Sequence, residues 1–415
     1  MGEINGKIAI IGAGISGLSI ANLLKDRFDI TVFEKENRPG GLIKCKRING
    51  ALYHLVGGHV FNTKRKDVFD WFWSHFDKEK EFSKINRNAV IKIDDKTINY
   101  PIENFIYQLG EENIKNFIQE IPSLINRKDL PSNFEDFLIN NFGKTLYDLY
   151  FKPYNTKLWR QDLKQIPLSW LEGKLPMPNI AEILYNNFCH FEEKNMVHST
   201  FYYPQHDGSQ FIANRIAENI PVFYNIDVCN IKRNNKKWVI NEDNFDKIIY
   251  CGNIKQLPNI IEGVDLINFK KNIDSLNYHG TTSVLCSIKV NPYSWIYLPD
   301  SNYLSHRIIC TGNFADSNNG KEENTAVIEF TDYISKEDIY ANLQKVPFSP
   351  QYLAHKYTKY TYPIQNRDTR TFINNLKCKL KEDNFFLLGR FAEWEYYNMD
   401  AAIGAAVDLN CTITN

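Results

Sequence analysis

Three glycine clusters stand in the first sixty residues, each beside groups able to meet an anion or a flat ring. Gly12-Ala-Gly14-Ile-Ser-Gly17 follows the apolar run Lys7–Ile11 and opens Ile15–Lys25, which has helical periodicity. A second apolar run, Ile30–Phe33, ends in Glu34, about twenty residues beyond the first glycine. This strand-turn-helix-strand order is what a dinucleotide requires. Gly12 permits the tight turn, Gly14 lets backbone approach a pyrophosphate, and Gly17 lets helix and strand pack closely. The helix N-terminus supplies N–H donors, and Glu34 can accept from a ribose hydroxyl.

Arg38-Pro-Gly40-Gly41 is a second glycine turn just past the ribose acid, suited to carrying the chain beside the pyrophosphate of FAD. Val56-Gly57-Gly58-His59 is a third, where Gly58 lets backbone approach a ring system and His59 can face it. FAD, held noncovalently, is the expected cofactor. Lysine plus arginine equals aspartate plus glutamate, 49 against 49, which argues against a nucleic-acid surface built on bulk charge. Eight scattered cysteines include no C-x-x-C pair and no zinc spacing, so no metal is expected and the thiols read as reduced, in a cytoplasmic protein. The apolar run Ile8–Leu24 is broken by three glycines and lacks a basic lead-in, so no membrane span is expected.

Stepping along the chain, residues 89–100 alternate as strands, 104–196 are helical in pattern, and strand-like runs return at 220–252, where Val228 and Ile248–Cys251 are candidates to rejoin the first sheet. Segments 281–298 and 304–330 are β-rich, Asn384–Leu388 is a buried strand, and a helix closes the chain from about Asp400. The expected fold is α/β. A Rossmann-like FAD-binding domain is assembled from 1–88, 200–262 and 378–415. Into it are inserted a helical domain with a mobile substrate loop, 104–196, and a mostly antiparallel sheet domain, 89–103 with 263–377. Trp71 and Trp73 read as rings buried by an amphipathic helix.

Five further stretches carry a resemblance. They are Tyr100-Pro-Ile-Glu-Asn-Phe, Phe151-Lys-Pro-Tyr154-Asn-Thr-Lys-Leu-Trp159, Ser169-Trp-Leu-Glu-Gly-Lys174, Trp295-Ile-Tyr297-Leu-Pro with Arg307 beyond it, and Gly389-Arg390-Phe-Ala-Glu-Trp-Glu-Tyr396-Tyr-Asn-Met399-Asp400. In this order they resemble the UDP-galactopyranose mutase family, its eukaryotic-type members most. The glycine motifs alone are shared with amine and protoporphyrinogen oxidases.

The resemblance implies an isomerase, active with reduced FAD, that interconverts the pyranose and furanose forms of a UDP-galactose-type sugar through a flavin N5–sugar adduct. It places His59, Arg307 and Arg390 at the chemistry, and Val228, Gly389 and Met399 with the cofactor glycines. Tyr100, Tyr154, Trp159, Lys174, Tyr297, Tyr362, Tyr396 and Asp400 fall with the nucleotide sugar. Planar guanidinium groups suit diphosphate oxygens, and flat rings suit a base. An external reductant such as NAD(P)H or a reductase is implied, and a homo-oligomer is compatible with the pattern. Two departures bear on the substrate: Lys174 stands where the family carries a mobile-loop arginine, and Asn398 where bacterial members carry an acid. A mutase for another sugar nucleotide (dTDP-fucose or UDP-N-acetylgalactosamine), a flavin amine or porphyrinogen-type oxidase, and a non-catalytic flavin scaffold stay open as alternatives. Without the resemblance, Arg390 is equally suited to an ion pair with Glu393 or Glu395, and Trp394 to the core.

Overall fold

Apolar runs too short for helices, each bounded by turn residues, form the central sheet. In a computed structural model describing residues 5–127, 130–168, 179–190, 199–320 and 324–414, β1 (Lys7–Ile11) lies between β2 (Asp29–Glu34) and the strand Lys247–Tyr250. Phe385–Leu387 and Val222–Tyr224 complete a five-stranded sheet whose neighbouring pairs are all parallel. Both faces are covered, as continuous apolar strands demand. Helices α1 (Ile15–Leu24), Gly208–Ala217 and Met399–Thr414 pack on one face, and Trp238, Ile273 and Leu376 belong to the core on the other. Val228 lies beyond the end of its strand, not in it, because the chain leaves the sheet at Tyr224.

A seven-stranded, mostly antiparallel sheet stands beside it. Its order is Gln351–Ile364, Asn277–Ile288, Asn324–Thr331, Arg307–Ile309, Trp295–Tyr297, Ala89–Ile93 and Lys96–Asn99. Strand alternation divides the side chains between its faces. Val90, Ile296, Ile308 and Ile328 pack under the helix Lys336–Leu343, while Ile91, Tyr297, Ile309 and Val327 face the helices of the 111–159 segment. Phe117, Phe134, Phe137 and Phe142 from those helices share one core with that face. The helical segment is therefore a roof over the sheet, and a π-helical turn, Tyr147–Phe151, leads into the helix Lys152–Trp159. Trp71 and Trp73 are partly buried against the core at the helix Lys66–Trp73.

Close packing of α1 on β1 fixes the geometry of the first glycine turn. A Cβ at Gly17 would sit 2.0 Å from the Gly12 carbonyl oxygen, a backbone atom that cannot swing aside. Gly17→Ala should therefore lower the stability of the protein by about 2 kcal/mol or more, the scale of overpacking a core. Thermal unfolding checks this; an unchanged midpoint would contradict the packing.

Candidate active site

The carboxyl ends of the parallel strands open onto one cleft of about 670 Å³. Open parallel sheets bind ligands at that edge. Gly12, Gly14, Gly17, Glu34, Gly40, Gly41, His59, Val228, Gly389, Arg390 and Met399 all line it. The first two glycine turns lie side by side, with Gly40 N–H donating to the Ala13 carbonyl at 2.8 Å. Gly14 has φ −75°, open to any residue, so its glycine is not a matter of backbone freedom. A Cβ there would meet nothing closer than Gly41 Cα at 3.9 Å. The space that Gly14 leaves is the approach a pyrophosphate needs. No side chain caps α1, so its first N–H groups remain for an anion. Glu34 accepts from the N–H groups of Ala13 at 2.8 Å and Glu36 at 3.0 Å. A carboxylate has about four acceptor positions, which leaves capacity for ribose hydroxyls. His59 lines the cleft with its Nε2 buried and without a protein partner, as a group facing a bound ring would be. These residues fit FAD.

Gly58 does not face the cleft in this way. A Cβ on it would strike Ile309 Cγ2 at 2.6 Å, so its missing side chain serves packing against the antiparallel sheet.

Beyond His59 the sheet presents a polar row. Register places Tyr297 opposite Arg307 and Arg307 opposite Glu329, so all three point to the roofed face. Arg307 pairs through Nε with Glu329 and donates from Nη2 to the Tyr362 hydroxyl at 3.4 Å. The Tyr362 ring stacks on Tyr396 with centroids 5.2 Å apart, and Arg390 lies over Tyr396 at 4.6 Å. Trp159 meets the edges of Tyr362 and Tyr396, Tyr154 meets Tyr297 at 5.4 Å, and Tyr100 lies 4.9 Å from Tyr297. Six of the eight residues expected around the nucleotide sugar, together with Arg307 and Arg390, thus form one continuous surface. Asp400 stands apart, at the first turn of the closing helix near Thr63, its carboxyl raised by burial. Lys174 lies outside the described residues.

Arg390 takes neither acid near it in sequence. It donates to the carbonyls of Thr361 at 3.1 Å and Tyr397, and among the described residues it makes no ion pair. Glu393 bonds instead to Lys377 and the Gly389 N–H, and Glu395 to Arg370. Trp394 is fully buried, its indole N–H donating to the Ile364 carbonyl at 3.0 Å.

Three residues of this surface carry no motif. Glu329 is fully buried and also accepts from the Gly57 N–H at 2.9 Å, which ties the arginine to the loop bearing His59. Its one sequence signal is an acid inside the apolar run Thr325–Phe330. Arg87 donates to the Tyr297 hydroxyl at 2.6 Å and sits over Tyr100 and Trp295, with its Nε buried and unpartnered. His279 stacks on Tyr362 at 4.6 Å.

Burial works to raise the Glu329 carboxyl, yet the Arg307 guanidinium beside it, with His306, holds it well below the usual range. Burial dominates for the histidines. It lowers His54 to about 3, and His59 and His306 to about 4, with Arg390 and Arg307 adding to the effect at His59. All three are neutral near pH 7.

Two outcomes follow from this geometry. Gly14→Leu should fold but purify without flavin colour, since only the approach to the cofactor is lost; full flavin occupancy would refute the cradle. The three histidines take up protons more readily once unfolded, where they titrate near 6.5. Stability is therefore complete above about pH 6.5 and falls as pH drops toward about 4. Unfolding midpoints should decline steadily from neutrality to about pH 5, and a flat profile would mean the imidazoles are solvated.

Residues 10–76 match the model of an NAD(P)-binding Rossmann-like domain. Over 97% of both chains, the sequence is 22% identical to a dTDP-fucopyranose mutase of Escherichia coli. It is 25% identical to a probable UDP-galactopyranose mutase of Klebsiella pneumoniae across 42% of this chain and 46% of that one. The fold superposes on a crystal structure of reduced UDP-galactopyranose mutase with a TM-score of 0.87, at 21% identity, covering 99% of this chain and 96% of the other. Motif order, full-length similarity and fold agree: the chain is similar along its whole length to sugar-nucleotide mutases of the UDP-galactopyranose mutase type and shares their fold.

Proposed function

We propose that this protein is an FAD-dependent sugar-nucleotide mutase, which interconverts the pyranose and furanose forms of a galactose-type sugar linked to a nucleoside diphosphate. The observation that carries the reading is the guanidinium pair Arg307 and Arg390, bridged by the rings of Tyr362 and Tyr396 beside the cleft that fits FAD. A nucleoside diphosphate brings about two negative charges that must leave water, and permanently charged planar groups meet them best.

When bound and reduced, the flavin supplies the nucleophile at the anomeric carbon. The protein does the rest by position. Arg307 and Arg390 hold the departing diphosphate so that its return is effectively intramolecular. Arg390 suits this role because backbone carbonyls orient it without neutralising it. Arg307 is aimed by Glu329 through one edge of its fork. Tyr154, Trp159 and Tyr297 line the roofed side, where flat groups shield the site from water. His59 stays uncharged beside the ring, so it does not compete for the diphosphate. The electrons for FAD come from an external reductant, such as NAD(P)H or a reductase.

The full-length likeness to a dTDP-fucopyranose mutase favours a second reading within this class, in which the sugar is 6-deoxy and the base thymine. Product analysis with UDP-galactose and dTDP-fucose separates the two.

Truncating Arg307 or Arg390 to alanine should weaken UDP and dTDP binding by about 2–4 kcal/mol, the loss of a charge-assisted contact in a partly dry site. Flavin content should hold, and wild-type affinity in either variant would dismiss the diphosphate site. Because both ring forms are at one oxidation level, a single anaerobic reduction should support many turnovers. Product limited to one equivalent per flavin, or hydrogen peroxide released by oxidised enzyme, would indicate an oxidase.

A further inference from the structure

Lys157 shares the helix Lys152–Trp159 with Tyr154 and Trp159, yet its ammonium points to neither ring nor carboxylate. It donates to four backbone carbonyls: Leu298 and Asp300 at 2.7 Å, Tyr303 at 2.8 Å and Ser305 at 3.2 Å. Three N–H donors serving four acceptors leave the group saturated. All four carbonyls belong to the loop that joins Tyr297 to Arg307, the two residues placed opposite one another by strand register. That loop has a second tether on its other side. Asn342 accepts from the Leu304 N–H at 2.6 Å and donates to Ser305 Oγ at 3.0 Å.

A loop of this length between two three-residue strands has few ladder bonds to fix its shape. Its inward carbonyls would otherwise lack partners, which is costly in a half-buried place. One ammonium answers that need and at the same time joins two walls. On one side stand Tyr154 and Trp159, carried by the lysine's own helix, and on the other Tyr297 and Arg307, carried by the loop's ends.

We propose that Lys157 is a positioning residue of the nucleotide site, whose ammonium fixes the 298–306 loop and so sets Arg307 and Tyr297 at working distance from Tyr154 and Trp159. The inference rests on the reading of Arg307 as a diphosphate ligand. Lys157→Met keeps the length and apolar stem of the side chain and removes the donors. Lys157→Arg keeps the charge but replaces a compact three-way donor with a planar fork, so it should restore binding only in part.

The test uses the full-length flavoprotein, with UDP and dTDP as probes by calorimetry, and the sugar nucleotide turned over by wild type in kinetics. Lys157→Met should bind the better of the two probes roughly tenfold more weakly and raise KM by a similar factor, with a smaller fall in kcat. Flavin content should stay near that of wild type, while the unfolding midpoint falls without loss of the folded state, because four carbonyls lose their donor. In an Arg307→Ala background the same change should add little, because the lysine acts through the arginine. Undiminished binding in Lys157→Met, or an equal effect with and without Arg307, would overturn the proposal. So would loss of flavin and of the folded state in both Lys157 variants, which would make the lysine a folding residue. Failure of wild type to bind either probe would overturn the diphosphate reading as well, and thus tells the two apart.

Discussion

Most of the site is held by a single buried carboxylate. Glu329 has no access to water and is satisfied on two sides, by Arg307 and by the Gly57 N–H. Taking such a charge from water costs several kcal/mol, and only tight pairing with further hydrogen bonds offsets it. The pairing has a structural consequence. One oxygen fixes an arginine on the antiparallel sheet and the other fixes the loop that carries His59 to the cofactor cleft. The two halves of the candidate site are thereby referred to one carboxylate. Removing the acid would leave the half-buried Arg307 without its counter-charge and free the Gly57 loop together.

Around that anchor the molecule divides its work by layer. The parallel sheet and its first two glycine turns bring backbone to the cleft, where side chains would obstruct. The antiparallel sheet supplies directed side chains, since opposite residues on neighbouring strands share a face. The helical segment closes over that face with aromatic rings, and its core is continuous with the sheet's own. Rings serve here as packing beside the candidate site: Tyr154, Trp159 and Tyr362 are each more than nine-tenths buried, and Tyr362 borders Arg307. Charge contacts made among such buried rings are stronger than the same contacts in water.

The two arginines are prepared differently. Arg307 is matched by an acid, which fixes its direction and moderates its charge. Arg390 rests on carbonyls and a ring face, so its positive charge is oriented but not cancelled. The proposed diphosphate site would gain from both, one arginine giving position and the other giving field. The neutral state of His59 fits between them, because a third cation there would repel both.

What the sequence by itself determined is the local part. Gly12, Gly14, Gly17 and Glu34 lie within one strand-turn-helix-strand unit, where spacing along the chain is spacing in space, and all four line the cleft. The same holds for Gly40 and Gly41 and for the strand ahead of Gly389. Motif order extended this to Tyr154, Tyr297, Arg307, Tyr362 and Arg390, which come from segments far apart in the chain. Their mutual contacts, however, were decided by strand register and by which helix roofs which face. Glu329 opposes Arg307 across a ladder, Arg87 reaches Tyr297 from a neighbouring segment, and Gly58 turns to Ile309 rather than to the cofactor. None of these is set by nearest neighbours in sequence. Partner choice for Arg390 is the sharpest case: Glu393 and Glu395 are close along the chain, but the fold commits them to Lys377 and Arg370. Pairing depends on direction and burial, and those exist only once distant elements have packed.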